Sequence, residues 1–274
     1  MRVLYVNADR GIPLAGHKGA SVHVRQTIGA LLAQGAHVVV AAASTKVPEG
    51  FPCPVVVPQI PHTDGTRFGR AVSDSLAALR FPAEMFDVVY ERYSLWSTAG
   101  LQLARRLDVP LVLEVNAPLV LESQQFRTLS HPGLARRVER EMFRGADLIL
   151  PVSSTLASYI ASIRKHDDGI VVTPNAVDTE VFRPRDLIDA GALAHEIIFI
   201  GSLKPWHGCN HLLDAMPHVL GHVPNARLTF VGDGPERASL EERVLRLGLS
   251  PSVRLVGAVQ HEQMGRNYLQ AAGD

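Results

Sequence analysis

The chain has 274 residues, with 27 Lys+Arg against 27 Asp+Glu, and is 46% hydrophobic. That size and composition suit a soluble globular protein long enough for two domains, and zero net charge removes the electrostatic case for a nucleic-acid partner. Cys53 and Cys209 form neither a metal-ligand spacing nor a disulfide framework, and no apolar run approaches the roughly 18 residues of a membrane span. The N-terminus turns polar too quickly for a signal peptide, so the expected compartment is the cytoplasm.

Residues 3–6 read as a buried strand. The loop after it carries Gly11, Pro13, Gly16, Lys18 and Gly19, and Ser21 is placed to cap a helix with Val22, Ile28, Leu31 and Leu32 at helical spacing. Residues 37–43 are a second strand, so the chain opens as βαβ with a glycine-rich first loop. The loop is neither Gly-x-Gly-x-x-Gly nor a Walker loop; its glycines let backbone approach a ligand, or serve only as turns. Strands are expected at 55–57, 87–90, 110–115, 146–152 and 170–172, and helices at 71–79, 98–107 and from Ser153-Ser154. Glu91 and Arg92 follow the 87–90 strand and Asn116 follows the 110–115 strand. Ligands of open α/β sheets bind at such carboxyl ends. The plainer alternatives are a Glu91–Arg92 pair and an Asx turn. Residues 134–143 form an amphipathic helix with Leu134, Val138 and Met142 on one face and Arg136, Arg140 and Arg144 on another. Glu139 and Glu141 dilute that charge, which favours a solvated face over a peripheral membrane contact.

A polar connection with a boundary at 184–195 separates the halves, 1–184 and 185–274. The pattern then restarts. A strand at 197–200 ends at Gly201, and a loop with Lys204 and His207 runs to Gly208 and a helix at 211–220 broken by Pro217. An anion is favoured at such a helix start, and Lys204 adds full charge; the alternative is an ordinary βα turn with a solvated lysine. A strand at 227–231 leads into Gly232-Asp233-Gly234-Pro235 and a helix at 236–247, a strand at 253–256 leads to Gly257, and a last helix covers 262–271.

Taken together, Phe199-Ile200-Gly201-Ser202-Leu203-Lys204-Pro205-Trp206-His207-Gly208, Val231-Gly232-Asp233-Gly234-Pro235 and Thr173-Pro174-Asn175-Ala176-Val177-Asp178 resemble family 4 glycosyltransferases of the GT-B fold. Gly16 to Ser21, Tyr90-Glu91-Arg92-Tyr93-Ser94, Glu114-Val115-Asn116-Ala117-Pro118 and Ala146-Asp147-Leu148-Ile149-Leu150-Pro151-Val152-Ser153 agree. The resemblance implies two Rossmann-like domains, the second incomplete, and transfer of a sugar from a nucleotide-sugar donor with retention. It also implies no cofactor and no metal. By position it makes Lys204 and His207 the diphosphate-binding pair and puts Asn116 near the reacting sugar. Gly16, Gly19, Ser202, Gly208, Asp233, Gly234 and Gly257 would border the donor, and Lys18, Glu91 and Arg92 the acceptor. Many relatives have Arg where this chain has Ser202, Lys where it has His207, and His where it has Asn116. Relatives also continue into a Glu-x7-Glu segment, so the chain reads as C-terminally truncated and as inactive by itself. The competing readings are a nucleotide- or acceptor-binding remnant and a GT-B nucleotide-sugar epimerase; a dinucleotide dehydrogenase is the outsider. The acceptor is a saccharide, lipid or small molecule, met in the cytoplasm or at the inner membrane face.

Overall fold

The computed structural model describes residues 1–61, 65–179 and 195–259. The chain divides into two compact units, Met1–Asn175 and Ala176–Asp274.

In the first unit, β1 (Arg2–Asn7), α1 (Gly19–Ala33), β2 (His37–Ala42), β3 (Val55–Val56) and α2 (Gly65–Ala77) come first. Then follow β4 (Val88–Arg92), α3 (Ala99–Leu107), β5 (Leu111–Val115), α4 (Leu119–Phe126), α5 (Pro132–Gly145), β6 (Leu148–Pro151) and α6 (Ser154–Arg164). The six strands are all parallel, in the order β3-β2-β1-β4-β5-β6. Strand addition reverses direction at β1, and right-handed crossovers therefore place helices on both faces. Apolar residues pack accordingly in two clusters. Val3, Tyr5, Val38 and Val40 meet Val24 and Ile28 of α1. Leu4, Val6, Val89 and Leu113 meet Leu101, Leu103, Val138 and Met142 of α3 and α5. Adjacent strand residues point to opposite faces, so β1, β2, β4 and β5 serve both clusters, and a continuous apolar run is what such a strand requires.

Several local expectations change. Helix α1 starts at Gly19, with Lys18 as its N-cap and no side-chain cap bond. Ser21 instead lies inside the first turn and is fully buried: the Lys18 carbonyl accepts from the amides of Ser21 and Val22 at 2.8 and 3.1 Å, which starts the helix before it. Ser153 does cap α6, accepting from the Leu156 amide. Residues 170–172 are not a full strand: Ile170 forms one bridge to Ile149, and Val171 and Val172 are exposed. Helix α4, directly after Pro118, has no counterpart among the expected elements.

In the second unit, β7 (Glu196–Ile200), α7 (Cys209–His222), β8 (Arg227–Val231), α8 (Arg237–Arg246) and β9 (Val253–Gly257) form a parallel sheet in the order β7-β8-β9. Its strands advance in one direction only, so both crossover helices share a face. Leu213 and Met216 of α7 and Leu240 and Val244 of α8 pack with Leu228 and Phe230 in a single cluster. Pro217 does not break α7, which continues to His222. Proline removes one amide and crowds the preceding turn, but Pro217 itself lies on the exposed side of the helix, where its ring meets no core residue. The expected boundary at 184–195 falls almost wholly on residues outside those described, and the helix at 262–271 lies entirely among them.

Candidate functional site

In the second unit the loops leaving β7, β8 and β9 interlock at the carboxyl end of the sheet. The Gly201 amide donates to the Val231 carbonyl at 3.0 Å and the Leu203 amide to the Asp233 carbonyl at 3.0 Å. The Gly232 amide donates to Gly257 O at 2.8 Å, and the Glu236 amide to Leu203 O at 3.1 Å. Backbones this close leave no room for side chains. A Cβ on Gly232, whose φ is +146°, would stand 1.8 Å from the Gly201 carbonyl oxygen, and one on Gly234 would stand 2.3 Å from that of Leu203.

On this scaffold, Pro205–His207 form a 3-10 turn and Gly208 takes a left-handed conformation, φ +69°, that starts α7. The His207 ring bonds through Nδ1 to the Ser202 carbonyl, which anchors the ring over its own loop. Lys204 is half-buried, its Nζ 4.9 Å from the centre of the Trp206 ring. Asp233 is exposed, and its Oδ1 accepts from the Gly234 amide at 2.7 Å. Thus Ser202, Lys204, His207, Gly208, Asp233, Gly234 and Gly257 lie on one set of joined loops, with a lysine and a helix start among them. Gly232, absent from the expected set, is the most sterically demanded of these glycines; its place beside Asp233 and Gly234 in the motif was the available signal.

In the first unit, the loop after β1 brings Gly16, Lys18 and Gly19 to the carboxyl end of the sheet. A Cβ on Gly16 would meet Ser21 Oγ at 2.4 Å, whereas one on Gly19 would meet nothing within 4 Å. Arg25 fastens this loop by donating to the carbonyls of Leu14 and Gly16 at 2.8 and 2.7 Å. Lys18 is exposed.

The expected pairing of Glu91 with Arg92, and the acceptor-facing place of Glu91, do not hold. Neighbours on a strand point to opposite faces. Glu91 turns toward α3, fully buried, and accepts from the Ser97 hydroxyl at 2.7 Å and the Gly100 amide at 2.9 Å. It fixes a helix start from inside. Burial pushes its carboxyl up to about 7, against those two bonds. Tyr90 and Arg92 turn to the other face and meet Glu114.

Glu114 is the residue that sequence reasoning passed over as a site. It accepts from the Tyr90 hydroxyl at 2.7 Å, contacts His23 Nε2 of α1 at 2.7 Å, accepts from the Asn116 amide, and lies 4.0 Å from Arg92 Nε. Burial would raise its carboxyl, but the bonds from His23, Tyr90 and Asn116 outweigh that and hold it below the usual carboxylate value. The acceptor-only carboxylate dictates the orientation of the Asn116 amide and leaves Oδ1 as its remaining acceptor. Arg92 keeps a buried Nε with no hydrogen bond. The Tyr90 ring stacks on Tyr5 at 5.2 Å. The cluster therefore presents a cation, an amide and an imidazole from a rigid base, a set suited to a polyhydroxylated ligand. Its only signal in the sequence was a glutamate two residues before Asn116 at a strand end. The distance of 91 residues between His23 and Glu114 hid the rest.

Among the described residues, no group of three or more His, Cys, Asp or Glu side chains could hold a metal ion, and no helix is long and apolar enough to cross a membrane.

A two-unit parallel α/β architecture with glycine-shaped loops at the strand ends defines a protein of the nucleotide-binding fold class. Residues 17–181 match the model of Glycosyltransferase Family 4, and residues 194–273 match that of Glycosyl transferases group 1. The first match alone spans more than half of the chain, and the protein belongs to glycosyltransferase family 4. The fold is that of sucrose-phosphate synthase from Thermosynechococcus elongatus, with TM-score 0.74 and 20% identity over 99% of this chain and 74% of that one. Anabaena HepE, solved in complex with UDP and glucose, is similar with TM-score 0.69 and 18% identity over 100% of this chain and 73% of that one. The phosphatidylinositol N-acetylglucosaminyltransferase GPI3 subunit of Saccharomyces cerevisiae is 31% identical over 138 residues, 46% of this chain and 30% of that protein. The chain spans less than half the length of the first curated relatives it matches, from 21% to 44%.

Proposed function

We propose that the protein takes part in transfer of a sugar from a nucleotide diphosphate sugar to an acceptor, with retention at the anomeric carbon. The donor lies on the unit Ala176–Asp274 and the acceptor on Met1–Asn175. The observation that carries this reading is the joining of the β7, β8 and β9 loops around Lys204 and the start of α7. Breaking the sugar–phosphate bond builds charge on the leaving diphosphate. Lys204 and preorganised backbone amides lower that barrier without a metal ion. His207 anchors the loop and supplies a second donor when its ring is protonated. HepE, whose solved complex holds UDP and glucose, supports a uridine or similar nucleotide as the first donor to try. Arg92, Asn116 and Lys18 are the acceptor-side candidates, and Glu114 holds the first two in place with His23 beside it. Glu91 is left out because its oxygens are spent on α3. The place of work is the cytoplasm or the inner face of the membrane, where nucleotide sugars are at hand.

Nucleotide binding and turnover are measured separately, because these loops could hold a nucleotide without transferring its sugar. Calorimetry with a panel of nucleoside diphosphates is expected to show binding to the intact chain. Lys204→Gln should weaken it roughly 10- to 100-fold, the worth of one charge-assisted phosphate contact. Arg246→Ala, an exposed α8 residue paired with Glu242, should leave it unchanged. Equal affinity in both variants rejects the donor assignment, and affinity lost on chelation with EDTA rejects the metal-free mechanism.

A further inference from the structure

In the second unit, no carboxylate among the described residues lies within ion-pair distance of Lys204. Its Nζ stands instead 4.9 Å from the centre of the Trp206 ring. The backbone builds that meeting. Pro205 restricts the residue before it to extended conformations, and Lys204 has φ −117° and ψ 152°. Pro205 also opens the 3-10 turn, which the His207 amide closes on the Lys204 carbonyl at 3.0 Å. That turn carries Trp206 back beside Lys204. The indole is braced from behind: the His207 ring meets it edge to face at 6.0 Å, and His207 lies 6.2 Å from Phe199 of β7. Phe199 packs 5.7 Å from Phe230, which is fully buried in β8. A file of rings therefore runs from the core of the sheet to one ammonium group.

The kind of partner decides what that ammonium can do. A carboxylate would fix Lys204 but also neutralise it and compete with a phosphate for its N–H donors. An aromatic face attracts the cation through its quadrupole and leaves both the charge and the donors in place. We infer that Trp206 is a positioning residue for the diphosphate: it holds the Lys204 ammonium, still charged, where the leaving group of the donor binds. The inference rests on the donor reading proposed above for these loops. It also gives His207 a role in its neutral state. The Ser202 carbonyl can only accept, so Nδ1 carries the proton. The neutral ring then has only an acceptor left at Nε2, and it braces the indole rather than donating to a phosphate.

The test uses the full chain and calorimetry with UDP and with inorganic pyrophosphate, which carries the diphosphate alone. Trp206→Leu should weaken both roughly tenfold, and Trp206→Phe, which keeps an aromatic face, should restore most of that loss. Combined with Lys204→Met, Trp206→Leu should add no further loss, because it acts through the ammonium. Trp206 is half-buried and outside the apolar core of its unit, so these variants keep the fold. A second measurement needs no ligand. The chain has two tryptophans, Trp96 and Trp206, so fluorotryptophan labelling gives two fluorine NMR resonances, assigned with Trp206→Phe. In the free protein, Lys204→Met should move the Trp206 resonance and leave that of Trp96 in place. Failure of both probes to bind the wild-type chain rejects the donor reading, and this inference falls with it. Wild-type binding that Trp206→Leu leaves unchanged overturns the inference alone, and the donor reading stands. An equal loss from Trp206→Leu with and without Lys204→Met also overturns it, as does a Trp206 resonance that ignores Lys204→Met.

Discussion

Strands β1 and β7 hold the same position in their units: each is the first strand, and each ends in a glycine-bearing loop and a helix. Their sequences are equally apolar, Val3-Leu4-Tyr5-Val6 and Ile197-Ile198-Phe199-Ile200. Yet β1 is buried along all but its first residue, while every residue of β7 is only half-buried. The difference lies in the neighbours. β1 pairs with β2 on one side and β4 on the other, with helices on both faces. Among the described residues β7 pairs with β8 alone and is covered by helices on one face. An apolar run therefore states what a strand can bury, and the topology decides how much of it is buried. Within the first unit, the doubly covered sheet buries Glu91 and Glu114 on opposite faces.

The largest effect comes from placing a lysine in each strand. Val6→Lys buries an unpaired charge between the sheet and its helices and should cost more than about 4 kcal/mol, enough to unfold the first unit. Ile198→Lys lies on the face opposite α7 and α8 and should cost under about 1 kcal/mol, while reducing self-association through the β7 edge. Denaturant melts and sedimentation velocity read the two outcomes. Comparable destabilisation by both lysines would erase the distinction between the strands.

Next comes glycine. Gly232→Ala forces a Cβ into the Gly201 carbonyl and should cost about 3 kcal/mol or more, exposing the second unit to limited proteolysis first. Gly19→Ala, with open space around it, should be neutral or slightly stabilising as a helix residue. A protease-resistant Gly232→Ala protein would show that the loops are not interlocked as described.

The pH dependence of the first unit sharpens the comparison at a similar or smaller scale. Glu91 holds its proton up to about 7, where the unfolded chain releases it near 4.5. The folded state then binds more protons between those values, so stability falls as pH rises through that window, by roughly 3 kcal/mol at most. Glu114 acts in the opposite sense: held below its usual value, it contributes stability above that value that is lost as pH falls through its folded value. Glu91→Gln should flatten the loss between pH 5 and 8, measured by thermal melts of the first unit. An unchanged slope would mean that other groups carry it.

Most strands were legible because a buried parallel strand needs a short apolar run, and β1, β2, β4, β5, β6, β7, β8 and β9 each provide one. The order of the elements and the loops around Gly16, Lys204 and Asp233 could be placed for the same reason: a loop at a strand's carboxyl end is named by position along the chain. What failed depended on partners. Residues 170–172 look like a strand but find only one bridge beside β6, and Pro217 looks like a break but faces water. Glu91 looks like a ligand-facing acid but turns under α3, because alternation along β4 assigns Glu91 and Arg92 to different faces and only the packed sheet says which face is which. His23, Tyr90, Arg92 and Asn116 come to Glu114 from a helix, a neighbouring strand and a loop, and the buried Glu139 meets Tyr159 from a neighbouring helix. Periodicity is a property of one segment and could be read directly. Burial and hydrogen-bond satisfaction are properties of several segments at once, and only the tertiary structure decided them.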